Sequence, residues 1–296
     1  MLRPFTVKLG TAFGVGAIAL WTFDESLGLR TVKRVHHVVN SPSLATPMQL
    51  SLDAVTRPPP IGCIDWPAGR VLLQWALDNL PSNSTTLEIG SGIGTTAVGL
   101  AKASKSTGAT TTIIATDIDE DALGLLRSNA DLNEVSLVAS RWDCAGGEQA
   151  LSELPIDPLT LSHVIGSDLV YFGGAHDGNS DKPGLVRTLA ALLRVQPRLE
   201  ITLLCIARGA PAVVLTSADD PKRGSTAAAT EQPSEFLSLD SFERACKAQG
   251  LRAIRSAVPE ETVHRVRASQ WPLLRAAWWM CGIWDSMVLY RIVADT

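Results

Sequence analysis

Thr85-Thr86-Leu87-Glu88-Ile89-Gly90-Ser91-Gly92-Ile93-Gly94 is the stretch on which the reading of this chain turns. Residues 85–89 are β-branched or apolar around one acidic side chain, as a buried strand requires. Glycines then stand at three alternate positions, and residues 95–104 continue with helical spacing. Glycine allows a sharp backbone turn and lets a ligand come close to the main chain. A strand, a glycine turn and a helix open many nucleotide-binding α/β folds. The spacing removes one version of that idea. A dinucleotide fingerprint counted from Gly90 needs its third glycine at position 95, where Thr95 stands. A pyrophosphate also seeks the open N-terminus of the helix, and the carboxylate of Glu88 beside the turn opposes it.

The same rhythm repeats on both sides of the turn. Strands are expected at 110–116, 136–141, 161–167 and 199–207, with helices at 120–132 and 185–195 between them. Residues 161–167 are an apolar run suited to a strand buried on both faces. A helix over 237–249, closed by Gly250, and strands over 251–258 and 287–293 complete the pattern. Strands separated by helices of 10–15 residues predict an α/β fold, a parallel sheet with helices on both faces. Upstream, 68–80 fits a helix and 31–56 one or two short strands. Residues 57–62, with three consecutive prolines, form a rigid approach to the main domain. The chain thus divides into an apolar segment (1–30), N-terminal strands with the proline-rich approach (31–60), and one domain (61–296). Residues 209–235, rich in Ala, Ser, Thr, Pro and Asp, are too long for an ordinary connection and are expected to be a flexible insertion.

Composition narrows the function classes. The 296 residues carry 26 Lys plus Arg against 30 Asp plus Glu, a net charge of −4 that disfavours a nucleic-acid partner. With 46% apolar and 19% charged residues the chain is globular. Cys63, Cys144, Cys205, Cys246 and Cys281 include no C-x-x-C pair, which predicts reduced thiols and a cytoplasmic location. The five histidines lack zinc spacing, so no metal is expected. Residues 9–23 are apolar or small, with Arg3 and Lys8 before them and Asp24 after. The run is short for a membrane span. Its charge pattern resembles a signal peptide or an organellar presequence; a helix packed on the domain is the other reading. The unpaired cysteines turn the targeting version toward an organelle such as the mitochondrion, and any membrane contact is assigned to this segment. Near the other end, Trp271, Leu274, Trp278 and Cys281 share one face of a helix over 271–284. It reads as a core or lid helix, or else as a partner- or membrane-contacting patch.

Four acidic positions carry the chemistry. Glu88 suits a cation better than a phosphate, which points to S-adenosylmethionine, a zwitterion beside a sulfonium. Asp117, closing the second strand, is placed to accept both hydroxyls of a ribose, while Asp119 caps the next helix. At the end of the third strand, Trp142 is expected to cover an adenine face and Asp143 to accept from its amine; a buried structural Trp with a loop Asp is the alternative. Asp168, ending the buried fourth strand, is expected to hold an incoming amine, with Tyr171 shaping the channel; a strand cap is the alternative.

In this order, Glu88-Ile89-Gly90-Ser91-Gly92-Ile93-Gly94, Asp117, Trp142-Asp143 and Asp168-Leu169-Val170-Tyr171 resemble the seven-β-strand S-adenosylmethionine-dependent methyltransferases. The D-x-x-Y ending, with Trp66-Pro67-Ala68 ahead of a helix, is similar to their protein-lysine methyltransferase branch, the methyltransferase-like 21 type. The resemblance spans residues 61–293. It implies a Rossmann-like, seven-stranded, mostly parallel sheet of the class I kind. It also implies a cofactor site lined by Trp66, Glu88, Gly90, Ser91, Gly92, Asp117, Trp142 and Ser167, to which the loop adds Gly94. Asp168 and Tyr171 then face a lysine side chain of a protein substrate. The insertion, the Trp-rich helix and the apolar amino terminus depart from the pattern. Rival readings are a methyltransferase for a small molecule or another side chain, and a non-catalytic scaffold of the same fold. The intact glycine loop and residues 168–171 argue against the scaffold.

Overall fold

A computed structural model of the chain describes residues 33–39, 44–54, 61–169, 183–206, 239–269 and 286–295. The apolar run 9–23, the consecutive prolines, Tyr171, the insertion 209–235 and the Trp-rich segment 271–284 lie outside these residues.

The strand β3 (Thr85–Ile89) shows how alternation builds two cores. Leu87 and Ile89 enter one apolar cluster, with Ile114, Val164 and Leu203 from neighbouring strands. Glu88 instead stands between Ala115 and Ile165, which belong to the opposite cluster. Around β3 lie β4 (Thr112–Asp117), β5 (Val138–Arg141), β6 (His163–Ser167), β7 (Glu200–Ile206), β8 (Leu251–Ala257) and β9 (Met287–Ala294). The sheet order is β5-β4-β3-β6-β7-β9-β8, and only β9 runs against its neighbours β7 and β8. Helices α1 (Pro67–Asn79), α2 (Thr95–Thr107) and α3 (Glu120–Leu132) put Leu72, Val98 and Leu126 into the cluster on one face. On the other face, α4 (Pro183–Val195) and α5 (Leu239–Ala248) supply Leu189, Leu192 and Phe242. This is the expected seven-stranded α/β sheet. From β3 the chain proceeds to β4 and β5 on one side; β6 and β7 lie on the other. The switch point, where such sheets bind ligands, is therefore the carboxyl end of β3 beside β6.

Where one or two short strands were expected near the start there are two, a separate hairpin of β1 (Lys33–Val39) and β2 (Met48–Ala54). Two strands alone are marginal in water, so this pair needs an anchor. Met48 and Leu50 are fully buried in the α1–α3 cluster. Asn133, after α3, acts as a substitute strand. Its Nδ2 donates to the Gln49 carbonyl at 2.6 Å and its Oδ1 accepts from the Gln49 amide at 3.0 Å. Asn133→Ala is expected to cost about 1–3 kcal/mol by leaving these groups without their partner; thermal unfolding measures it, and an unchanged midpoint would dismiss the anchor.

One helix was not legible in advance. α6 (Glu260–Ser269) is mostly polar, and among the described residues on it Thr262 and Val266 are the buried ones. A stripe of one turn gives no periodic signal, and the helix gains an external tie from Arg265 to Asp78 at 2.7 Å. Pro259 before two acidic residues was the available sign of its start. β4 starts two residues later than expected because the Thr110 amide and hydroxyl are both taken by Asn83 Oδ1, at 2.8 Å each. Among the described residues no helix is long and apolar enough to cross a membrane.

Candidate active site

The glycine loop is a tied structure. Gly90, Gly92 and Gly94 have φ of +63°, +53° and +87°, the left-handed region that costs other residues about 1–2 kcal/mol each. A side chain on Gly92 would stand 2.8 Å from the Gly62 carbonyl oxygen, so the turn Ile61–Cys63 lies directly against the loop. Ser91 donates twice to the Thr116 carbonyl, from its amide at 2.9 Å and from its hydroxyl at 3.1 Å. Its hydroxyl thus works as a strut between the loop and β4.

Asp117 completes that tie. Its Oδ2 accepts from the Gly92 amide at 2.8 Å and its Oδ1 from the Asp119 amide at 3.0 Å. Each oxygen keeps a further lone pair, so the carboxylate is oriented without being used up. Burial raises its pKa, and these backbone bonds oppose the rise. Asp119 caps α3 as expected, accepting from the Asp121 amide at 2.9 Å. Beside them Ile118 is 53% exposed, a large apolar side chain uncovered between two carboxylates. Sequence reasoning passed over it; an apolar residue between two aspartates at a strand end was the signal.

Glu88 lies beneath the loop, 2% exposed. Burial pushes its pKa from 4.5 up to about 8; hydrogen bonds with Thr96 and the Ala97 amide oppose this, and Asp117 adds slightly to it. Its Oε2 is buried without a hydrogen-bond partner among the described residues. A buried acceptor of this kind fits a cationic group placed at the loop. A stability effect follows. Between pH 4.5 and about 8 the folded protein holds this proton and the unfolded chain has lost it. The unliganded protein is therefore expected to lose stability as pH rises through that window. Melting curves across it should slope downward, and Glu88→Gln should flatten the slope; an equal slope in both proteins would show that Glu88 titrates normally.

The remaining positions divide. Trp66 is half-buried at the N-cap of α1, and its carbonyl accepts from the Gly69 amide at 3.1 Å. Asp65, which sequence reasoning missed, fixes this turn. Its carboxylate pairs with Arg70, including a 2.9 Å bond from Nε, and accepts from the Thr95 hydroxyl at 3.0 Å. The Asp-Trp-Pro start of α1 is thereby pinned to the first residue of α2. An acid two residues before a helix start was the missed signal. Ser167, half-buried, ends β6 facing the first turn of α1, its Oγ 3.7 Å from where a Gly69 Cβ would stand. Trp142 takes the structural alternative. It is 2% exposed within the α4–α5 core, and its Nε1 donates to the Ala150 carbonyl at 2.8 Å. The ring is thus enclosed by that core, the buried structural place that the sequence offered as the alternative to an adenine contact. Asp143 is half-buried and turns the chain, its Oδ1 accepting from the Ala145 amide at 2.8 Å. Asp168 stands at the switch point with φ +52°, its amide donating to the Leu204 carbonyl at 2.7 Å. Glu88, the glycine loop, Asp117, Trp66 and Asp168 thus share the carboxyl end of the sheet. Among the described residues no group of three or more His, Cys, Asp or Glu side chains is arranged to hold a metal ion.

A family model described as lysine methyltransferase matches residues 46–209, more than half of the chain. No curated protein matches. Among solved structures the chain is similar to a SAM dependent methyltransferase from Aquifex aeolicus, at 13% identity over 78% of this chain and 95% of that one, with a TM-score of 0.47. It is also similar to the glycopeptide N-methyltransferase MtfA complexed with sinefungin, at 13% identity over 77% and 94%, with a TM-score of 0.44.

Proposed function

Because this chain belongs to the lysine methyltransferase family, we propose that it transfers a methyl group from S-adenosylmethionine to the side-chain amine of a lysine in a protein substrate. The coarser statement holds without that specificity: it is an S-adenosylmethionine-dependent methyltransferase. One observation carries the finer reading. The matched segment contains the whole crevice, from Trp66 through Glu88–Gly94 and Asp117 to Asp168.

S-adenosylmethionine supplies, when bound, an electrophilic methyl carbon on a sulfonium. The chain supplies position and exclusion of water. Asp117, already oriented by two amides, would hold the ribose hydroxyls. Ile118 offers an apolar surface beside it for the purine, and Asp143 an acceptor at the end of β5. The orphaned oxygen of Glu88 suits the ammonium of the methionyl part. Gly90, Gly92 and Gly94 let the loop take its left-handed turns closely against Leu169, Gly62 and Leu126, and Ser91 keeps the turn closed on β4. Trp66 and Ser167 form the wall on the α1 side. Asp168 aligns the incoming amine, and Tyr171 belongs to the same proposal. An amine must arrive neutral, against an ordinary lysine pKa of about 10.4. A carboxylate beside it raises that value, so Asp168 orients rather than deprotonates.

The proposed location is the cytoplasm. Cys63, Cys205 and Cys246 are buried cysteines and Cys144 a half-buried one, and a cysteine kept as a thiol suits a reducing compartment. The test of function is direct. Purified protein, methyl-labelled S-adenosylmethionine and a cell lysate should give a labelled protein band that yields methyl-lysine on hydrolysis. Label confined to small molecules, or to another side chain, would overturn the lysine assignment.

A further inference from the structure

The turn that ends β6 contains a fitted pair of cavity and plug. Gly166, the fourth residue of β6, points to the α4–α5 face, and a Cβ there would stand 2.7 Å from Leu169 Cδ1 and 3.3 Å from Leu203 Cδ2. A Cβ on Gly90 would overlap Leu169 Cδ2. The side chain of Leu169 therefore folds back into the space left by two glycines, one at the end of β3 and one near the end of β6. It packs there against the core cluster that holds Ile89 and Leu203. Such a return path demands an unusual residue just before it. Asp168 supplies it with φ +52°, a conformation that aspartate tolerates better than most side chains. The Asp168 amide, bonded to the Leu204 carbonyl at 2.7 Å, fixes the other side of the turn.

We propose that Leu169 is a positioning residue. Seated between Gly90 and Gly166, it holds Asp168 in the left-handed conformation that turns its carboxylate toward the substrate amine. This rests on the reading of Asp168 as the residue that aligns that amine. It assigns a task to two glycines that the loop and strand do not otherwise explain together. The space at Gly166 and the bulk of Leu169 are complementary, so each is meaningful only with the other.

The complementarity gives the test, run on the full chain. Leu169→Ala should lower the single-turnover rate of methyl transfer by about 10-fold or more through misalignment. Its affinity for S-adenosylhomocysteine should stay within about 3-fold, since Leu169 itself makes no contact proposed for that ligand. Amide hydrogen exchange at Asp168, measured by NMR with S-adenosylhomocysteine bound, should quicken by about 10-fold or more as the turn loosens. Leu169→Met should restore both rate and protection. Gly166→Ala should mimic the loss by displacing Leu169, and G166A/L169A should transfer faster than either single variant. Leu169→Val, shorter by one carbon, carries the same comparison if Leu169→Ala fails to fold. An unchanged rate, a slower rate with unchanged Asp168 exchange, or simple additivity of G166A and L169A would overturn the proposal. If the wild-type chain methylates no lysine, the proposed function has failed. The exchange data still decide about Leu169, upholding its seating if protection falls and rejecting it if protection is unchanged.

Discussion

Asp168→Ala is expected to slow single-turnover methyl transfer by about 10²-fold or more, because the amine loses the group that aligns it. Affinity for S-adenosylhomocysteine should change far less. Loss of stability does not account for such a result in advance. Asp168 has φ +52°, where glycine is at ease and other residues are strained. Asp168→Gly should therefore fold at least as readily as the parent and still transfer slowly. Asp168→Asn separates charge from hydrogen bonding: a rate near that of the parent would mean an acceptor is enough, and a rate near that of the alanine variant would mean the charge is needed. The readout is rate and ligand titration on the same preparations. If Asp168→Ala abolishes binding of S-adenosylhomocysteine, the residue belongs to the cofactor site. If it changes neither rate nor binding, Asp168 only ends a strand.

Asp117→Ala should weaken S-adenosylmethionine binding by about 10- to 150-fold, the equivalent of about 1.5–3 kcal/mol for a lost charge-assisted contact. The structure adds a second loss to the first. The same carboxylate holds the amides of Gly92 and Asp119, so its removal also frees the glycine loop. Asparagine is no gentle replacement, since its NH₂ would face one of those two donors. Two ligands divide the effects. Adenosine analogues lacking the ribose hydroxyls should show a much smaller difference between parent and variant. Calorimetry reporting equal affinity of parent and Asp117→Ala for S-adenosylmethionine would remove the ribose assignment.

Much of this site was readable because the residues that make it sit at strand ends. Alternation within Thr85–Ile89, the glycines that follow and an acid closing each of the next strands are local patterns, and local patterns survive in a bare sequence. The seat of Trp142 was not readable, for the opposite reason. Its indole N–H finds the Ala150 carbonyl through a 3₁₀ turn, Gly147–Glu153, that no period announces. Asp65 and Leu169 were missed because a partner that defines each is remote in the chain: Thr95 for the first, beside the nearby Arg70, and Gly90 for the second. The polar α6 escaped because its hold on α1 rests on one apolar turn and an arginine.

The placement of the last strand sets an order on folding. Among the described residues β8 pairs in the sheet with β9 alone, and β9 lies between β8 and β7. Residues 251–257 therefore cannot join the sheet when they are made. They must wait for residues 287–294 to slide in beside β7, and only then does the edge close. Until that moment β7 stands as a bare edge, with its ladder groups open to any other strand. The crevice at β3 and β6 needs only earlier segments, so the parent of the active site can form first, while the risk of mispairing remains with the final few dozen residues.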